Sequence, residues 1–480
     1  MTTDPNAGPT IDSTAVPAVN RTDTPTVGSS VAPAADPTVG SATPAPRTEP
    51  HRLVVISVDA MSDVDVPFAR TLPNFARIFE GAWARATAIY PSVTYPNHTA
   101  QVTGRTAAGH GIYANELVQP GVRRPDWFWD ARAIACPTIF DLAKAAGLRT
   151  ATVNWPVTGW APSTDFSVPE IVDRRGLEET RALVREAASE SAREYVDRHS
   201  ELIEWTKKPH FGRFATSVAV DVIREQQPHA LFIHLVDVDS ERHATGRFTP
   251  EVKAALERVD GWIGEILAAI EDAGLASSTN VAIVSDHGHV EVGRCWRPNT
   301  LLVDEGLVRV DADGEVESWD AWVHACGLTG QLHLHPEASD DVRARVLELV
   351  QGWVADPEVP LEAFHPSADM RERYGYDGPF LGVLEGTSGT NFQNMWDGRS
   401  LYTRFDEDYS FLLSQHGHLP EQDIQAVFAL QGPDAAQGAR IPRCTVPDEA
   451  VTFAHLLGLE IPEADGAVMR EMLTGDAARG

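Results

Sequence analysis

The chain has 480 residues, 43% of them hydrophobic and 22% charged, which is ample apolar material for a globular core. Its formal net charge of -30 excludes a nucleic acid polymer as partner, since a polyanion needs a basic surface, but leaves room for a small anion held at a local cation. Cys136, Cys295, Cys326 and Cys444 are scattered and read as reduced thiols, no run approaches the ~20 apolar residues of a membrane helix, and the first residues lack a signal-peptide pattern. The expectation is a cytoplasmic protein with no membrane partner.

Residues 1–50 are rich in Pro, Thr, Ala, Ser and Asp, with almost no large apolar side chains. Such a stretch cannot bury enough surface to offset its ordering entropy, so a disordered tail is expected there. Order is predicted to begin with the run LVVISV at 53–58, a β-branched stretch suited to a strand buried on both faces. A strand over 84–90 comes next, followed by the loop PSVTYPNHT and a helix from near Pro96, because Pro suits a first helical turn. Further strands are predicted at 150–153, 230–235, 281–284 and 426–430. Between them, Val252, Leu256, Val259, Ile263, Ile266, Leu267 and Ile270 share one helical face, as do Val342, Val346, Leu349, Val350 and Trp353. Alternating strands and helices predict an α/β fold with a doubly wound, mostly parallel sheet, whose ligands bind beyond the carboxyl ends of its strands.

Those ends carry metal-ligand residues. Asp59 follows the first run. VDVDSERH follows 230–235 and sets Asp239 and His243 four apart, a spacing that favours Asp239 over Asp237. Ser285-Asp286-His287-Gly288-His289 follows 281–284, and Gln415-His416-Gly417-His418 precedes 426–430. One aspartate at a strand end is ordinarily a turn or capping residue, but four such loops at one sheet edge are not explained as caps. Buried carboxylates and imidazoles are costly unless paired or metal-bound, and both are usual ligands of Zn2+ and related cations. A metal centre is therefore expected, and two adjacent metals suit phosphoryl displacement. Thr94 alone reads as a helix N-cap. Beside metals, at the positive end of a helix, it becomes the candidate nucleophile.

The ordered set Val58-Asp59, Thr94-Tyr95-Pro96-Asn97-His98, Gly104 through His110-Gly111-Ile112 to Asn115, Asp239 to His243, Ser285-Asp286-His287-Gly288 and His416-Gly417 resembles the nucleotide pyrophosphatase/phosphodiesterase branch of the alkaline phosphatase superfamily. The resemblance implies an alkaline-phosphatase-like catalytic domain over 51–475, with cap insertions within 156–228 and 290–414. It implies that Asp59, Thr94, Asp286 and His287 hold one metal, and that Asp239, His243 and His416 hold another, both zinc. It further implies a Thr94 nucleophile, a covalent phospho-threonine, Asn115 donating to a phosphate oxygen, and Tyr95 contacting a small nucleotide-like substrate. His289 stands where the family commonly has Met. His289 and His418 are read as neighbours of the ligands, and His98 and His110 as structural hydrogen-bonding groups. A phosphomonoesterase, with Arg123 or Arg124 meeting the extra phosphate charge, and a phosphonate hydrolase are the alternatives. An inactive scaffold is the remote one, disfavoured because every implied ligand and Thr94 are present.

Overall fold

A computed structural model describes residues 50–475 and 477–478. The tail expected over 1–50 lies outside the described residues but for Pro50. The main sheet has eight strands: β1 (Arg52–Val58), β2 (Ala82–Thr87), β3 (Thr150–Trp155), β4 (Phe166–Pro169), β5 (Ala230–Leu235), β6 (Thr279–Val284), β7 (Ala426–Gln431) and β8 (Arg440–Thr445). Six helices matter below: α1 (Pro73–Phe79), α2 (Thr94–Thr103), α3 (Gly212–Gln226), α4 (Asp237–Thr245), α5 (Pro250–Asp272) and α6 (Val446–Leu456).

The strand order is β8-β2-β7-β6-β1-β5-β3-β4. All neighbouring pairs are parallel except β7 with β2 and β7 with β6. The doubly wound, mostly parallel expectation therefore holds, with one reversed strand inside the sheet. Side chains alternate across β1. Val54, Ile56 and Val58 join one apolar core with residues of α1, α3 and α5, while Leu53 and Val55 join a second core with Val102 of α2 and Phe453 of α6. Burial on both faces is why these strands read as unbroken apolar runs. No helix among the described residues is long and apolar enough to cross a membrane.

Two boundaries differ from the sequence reading. The strand expected over 84–90 ends at Thr87, because Ile89 leaves the ladder to donate its N–H to Asn97 Oδ1 (2.8 Å). The helix expected near Pro96 begins at Thr94, where Asn97 Nδ2 donates to the carbonyls of Pro91 and Val93 and fixes the entering chain. Within 290–414 lies a four-stranded antiparallel sheet (Ala321–Cys326, Thr329–Leu334, Gly382–Gly386, Leu361–Pro366). With the helix Asp340–Ala355 it encloses a separate apolar core around Trp296, Trp322 and Trp353.

This small sheet meets the main one at a contact of bare backbone. Gly417 (φ +87°) lies so near the Cys326 carbonyl that a Cβ would sit 2.2 Å from its oxygen. A Cβ on Gly327 (φ +69°) would likewise sit 2.1 Å from the His416 oxygen. Leu328 N donates to His416 O (3.0 Å), and Gly417 N donates to Ser92 O (2.9 Å). The turn before β7 is thus held between the small sheet and the loop leading into α2.

Gln101, fully buried on α2, donates through Nε2 to Ser285 O (3.1 Å) and Glu449 Oε2 (3.0 Å), joining α2 to the end of β6 and to α6. Gln101→Leu leaves both buried acceptors without this donor, and is expected to lower the unfolding free energy by about 1–3 kcal/mol in urea titration.

Candidate two-metal active site

Asp59, Asp239 and Asp286 follow β1, β5 and β6 at their carboxyl ends. His416 comes from the other direction: β7 runs antiparallel, so the residues before it reach the same edge. Thr94 opens α2 at this edge too. The sheet thus gathers residues spread from 59 to 416 into one place.

Two groups form. In the first, Asp59, Asp286 and His287 bring their donor atoms within 4.8 Å of one another, and Thr94 Oγ1 stands 3.2 Å from His287 Nε2. His287 Nε2 lies 3.0 Å from Asp286 Oδ2 and 3.6 Å from Asp59 Oδ1. In the second, Asp239, His287, His289 and His416 lie within 4.8 Å of one another. His243 Nε2 is 3.3 Å from Asp239 Oδ1, one helical turn away on α4. Asp237 points elsewhere, accepting from Arg258 Nε (2.8 Å).

The electrostatics show what the cluster lacks. Burial, then Asp286 and Asp239, push the Asp59 carboxyl well above its ordinary range. Asp286 also feels burial, but His287 and His98 hold it below the usual range. Asp239 is likewise held low, with His243, His289 and His416 outweighing burial. Burial would lower His287, yet Asp286, Asp59 and Asp239 lift it to about 9. The carboxylates thus draw positive charge onto the nearest imidazole. Even so, Asp59 Oδ1 and Asp286 Oδ2 are buried with no hydrogen-bond donor among the described residues. Orphaned carboxylate oxygens beside imidazole nitrogens and a hydroxyl fit a divalent cation, and the N/O donor set is one that zinc accepts.

Several partners were not legible in the sequence. His234 lies inside β5, within a run read only as a buried strand. Its Nε2 meets Asp59 Oδ2 (3.0 Å) and its Nδ1 meets Glu170 Oε2 (2.6 Å), so the ring orients Asp59. Its pKa is raised well above the usual value: burial opposes this, and Glu170 and Asp59 prevail. Ala60, at φ +58°, turns its N–H to Asp286 Oδ1 (3.1 Å), a backbone shape an L-residue adopts at some cost. Arg242, fully buried on α4, pairs with Asp65 and donates to Arg247 O (2.8 Å), fixing the helix that carries Asp239 and His243. His289, read in the sequence as a neighbour, is brought inside the second group. His98 does bond Thr94 O and Ser57 Oγ, both at 2.9 Å, and His110 Nδ1 meets the Ile112 N–H.

Asn115 Oδ1 accepts from the Tyr95 N–H (2.8 Å), which orients its amide nitrogen away from that bond. Tyr95 is buried, with Trp127 edge-on at 5.1 Å and its hydroxyl donating to Glu170 O. The ring is therefore packed, not presented as an open face. Arg123 is paired with Asp397 and Glu315 and lies over Trp396.

The model of the type I phosphodiesterase / nucleotide pyrophosphatase family matches residues 53–402. Human ectonucleotide pyrophosphatase/phosphodiesterase family member 1 is 25% identical over 218 residues, which cover 43% of this chain and 20% of that protein. The Caenorhabditis elegans ectonucleotide pyrophosphatase/phosphodiesterase C27A7.3 is 21% identical over 431 residues, covering 85% of this chain and 45% of the other. The chain thus spans about a fifth of the first curated relatives it matches and under half of the nematode one. Among solved structures, murine ectonucleotide pyrophosphatase/phosphodiesterase 5 superposes with TM-score 0.60 at 19% identity, covering 88% of this chain and 100% of that one. An inactive variant of the murine protein in complex with AMP superposes equally, at 18% identity and the same coverage.

The segment after Asn115 yields a pH prediction. Glu116 accepts from Asn394 Nδ2 (2.9 Å), and burial pushes its carboxyl from the ordinary 4.5 to about 7. Between those values the folded state holds a proton that the unfolded state has lost. Glu116 therefore withdraws stability as pH rises from about 4.5 to about 7. Glu116→Gln keeps an acceptor for Asn394 and removes the titration. The variant is expected to exceed wild type in urea unfolding at pH 8, with the gain shrinking toward pH 4.5.

Proposed function

The chain belongs to the type I phosphodiesterase / nucleotide pyrophosphatase family, and from that premise we propose that it hydrolyses phosphodiester or pyrophosphate bonds in a small nucleotide-like substrate. The observation that carries this reading is the Thr94 hydroxyl at the start of α2, 3.2 Å from His287 Nε2 and beside two orphaned carboxylate oxygens. Asp59, Thr94, Asp286 and His287 are assigned to one divalent cation, and Asp239, His243 and His416 to the other. Zinc suits both donor sets. When bound, the ions neutralise phosphate charge and favour the ionised Thr94 hydroxyl.

The chain's own groups do the rest. Thr94 Oγ1 attacks phosphorus, displacing the leaving-group oxygen and giving a phospho-threonine. Asn115, its carbonyl oxygen held by Tyr95 N–H, directs its amide hydrogens to a non-bridging oxygen, where charge develops. The positive end of α2 favours the same charge. Water then attacks the phospho-threonine and frees Thr94, so configuration at phosphorus is retained over two displacements. The segments within 156–228 and 290–414 cap the substrate pocket, and the buried Tyr95 acts on it through its N–H, which holds Asn115. A phosphomonoesterase needs extra positive charge at the phosphate, and the ion pairs of Arg123 with Asp397 and Glu315 stand against its supplying that charge.

Thr94→Ala is expected to lower turnover by on the order of 10^4-fold or more, with the protein still folded. Near-wild-type turnover in that variant sinks the nucleophile assignment. Asn115→Ala is expected to lower kcat by about 10^2- to 10^3-fold with a smaller change in KM. On matched p-nitrophenyl esters, the thymidine 5′-phosphodiester is expected to be cleaved faster than the phosphomonoester or phenylphosphonate. A faster monoester reassigns the substrate class.

A further inference from the structure

The second group of donors contains one imidazole more than the assignment above uses. Its protonation pattern is set by the surrounding hydrogen bonds. Ser414 Oγ lies 2.6 Å from the Arg242 carbonyl oxygen, which can only accept, so the single hydroxyl hydrogen is committed there. Ser414 Oγ must then accept from His289 Nδ1, 2.9 Å away. His243 Nδ1 faces the Ser414 carbonyl oxygen at 2.9 Å, again a pure acceptor. Both rings therefore carry hydrogen on Nδ1.

That leaves their Nε2 atoms to be explained. His289 Nε2 is 2.7 Å from Asp239 Oδ1, His243 Nε2 is 3.3 Å from the same oxygen, and His416 Nε2 is 4.0 Å from it. Three imidazole nitrogens thus converge on one carboxylate oxygen. A proton can bridge one of these contacts, but only a cation of higher charge bridges all three. His289 is fully buried, so water does not relieve the crowding. Residues 290–291 pair antiparallel with Ser414–Gln415, which holds His289 and the Ser414 anchor in register.

We propose that His289 is a fourth protein ligand of the second metal, giving an Asp239, His243, His289 and His416 set. Resting on the two-metal reading above, the assignment goes beyond it by one residue. Three imidazoles and one carboxylate would offer this ion four protein donors, one more than the assignment above, with any further position left to the substrate or solvent. The ion at this position is therefore held more tightly, and meets less solvent, than one held by Asp239, His243 and His416 alone.

The test is a cobalt titration of metal-free full-length protein, read by the visible ligand-field absorption and by competition with a chromophoric chelator. His289→Asn keeps a donor for Ser414 Oγ but has no atom at the Nε2 position, and His289→Met removes both. Wild type is expected to take up two ions. Each variant is expected to keep the ion at Asp59, Asp286 and His287, which serves as the internal check of folding. At the second position each is expected to lose more than the ~10–100-fold in affinity typical of removing an outer partner, with a changed cobalt absorption as solvent takes the place of the imidazole. Two ions in His289→Asn with wild-type affinity and an unchanged spectrum overturn the assignment alone. A wild-type chain that takes up no ion overturns the two-metal reading, and this assignment with it.

Discussion

Three aspartates at the ends of adjacent parallel strands form the constraint on which the rest of the site depends. Asp59, Asp239 and Asp286 are mutually repulsive, and water screens them little because the cluster is enclosed. Every neighbouring feature answers that repulsion. His287 takes up charge from all three, Ala60 bends into a left-handed turn to offer its N–H, and His234 braces Asp59 against Glu170. The reversed strand β7 belongs to the same logic, since only an antiparallel strand delivers its preceding loop, with His416, to the carboxyl ends of the others.

Much of this was legible in the sequence, and the reason is geometric. Strands buried on both faces appear as unbroken apolar runs, so their ends are easy to find, and β5 falls where the pattern puts it. In this fold the chemistry sits directly after those ends, so Asp59, Asp239 and Asp286 are found by reading one or a few residues further. The four-residue interval between Asp239 and His243 reads correctly because α4 carries both on one side.

What escaped were partners whose proximity depends on pairing across the sheet. Glu170 and His234 are sixty-four residues apart and meet only because β4 lies beside β3, and β3 beside β5. A signal was present: a histidine inside an otherwise apolar strand demands a polar partner. His289 was visible too, since residues two apart in extended chain share a face, so His287 and His289 point the same way. The packed state of Tyr95 had no such signal, because its neighbours Trp127 and Glu170 come from distant segments. Helix and strand boundaries near Thr94 shifted because one side chain, Asn97, reorganises the chain entering α2.

The glycine-on-glycine contact at Gly327 and Gly417 bears on how such a protein can diversify. The small sheet and the turn holding His416 approach each other backbone to backbone at these two glycines, with the Thr329 hydroxyl reaching the Gly417 carbonyl (3.3 Å) beside them. A remodelled small sheet that displaced its Cys326–Gly327 turn by a few tenths of an ångström would move His416 by a similar amount. The far edges of the small sheet can therefore vary without moving His416, but the turn abutting His416 moves together with it. A replacement of this segment that ignores that seam would displace His416 from the Asp239 carboxylate it faces.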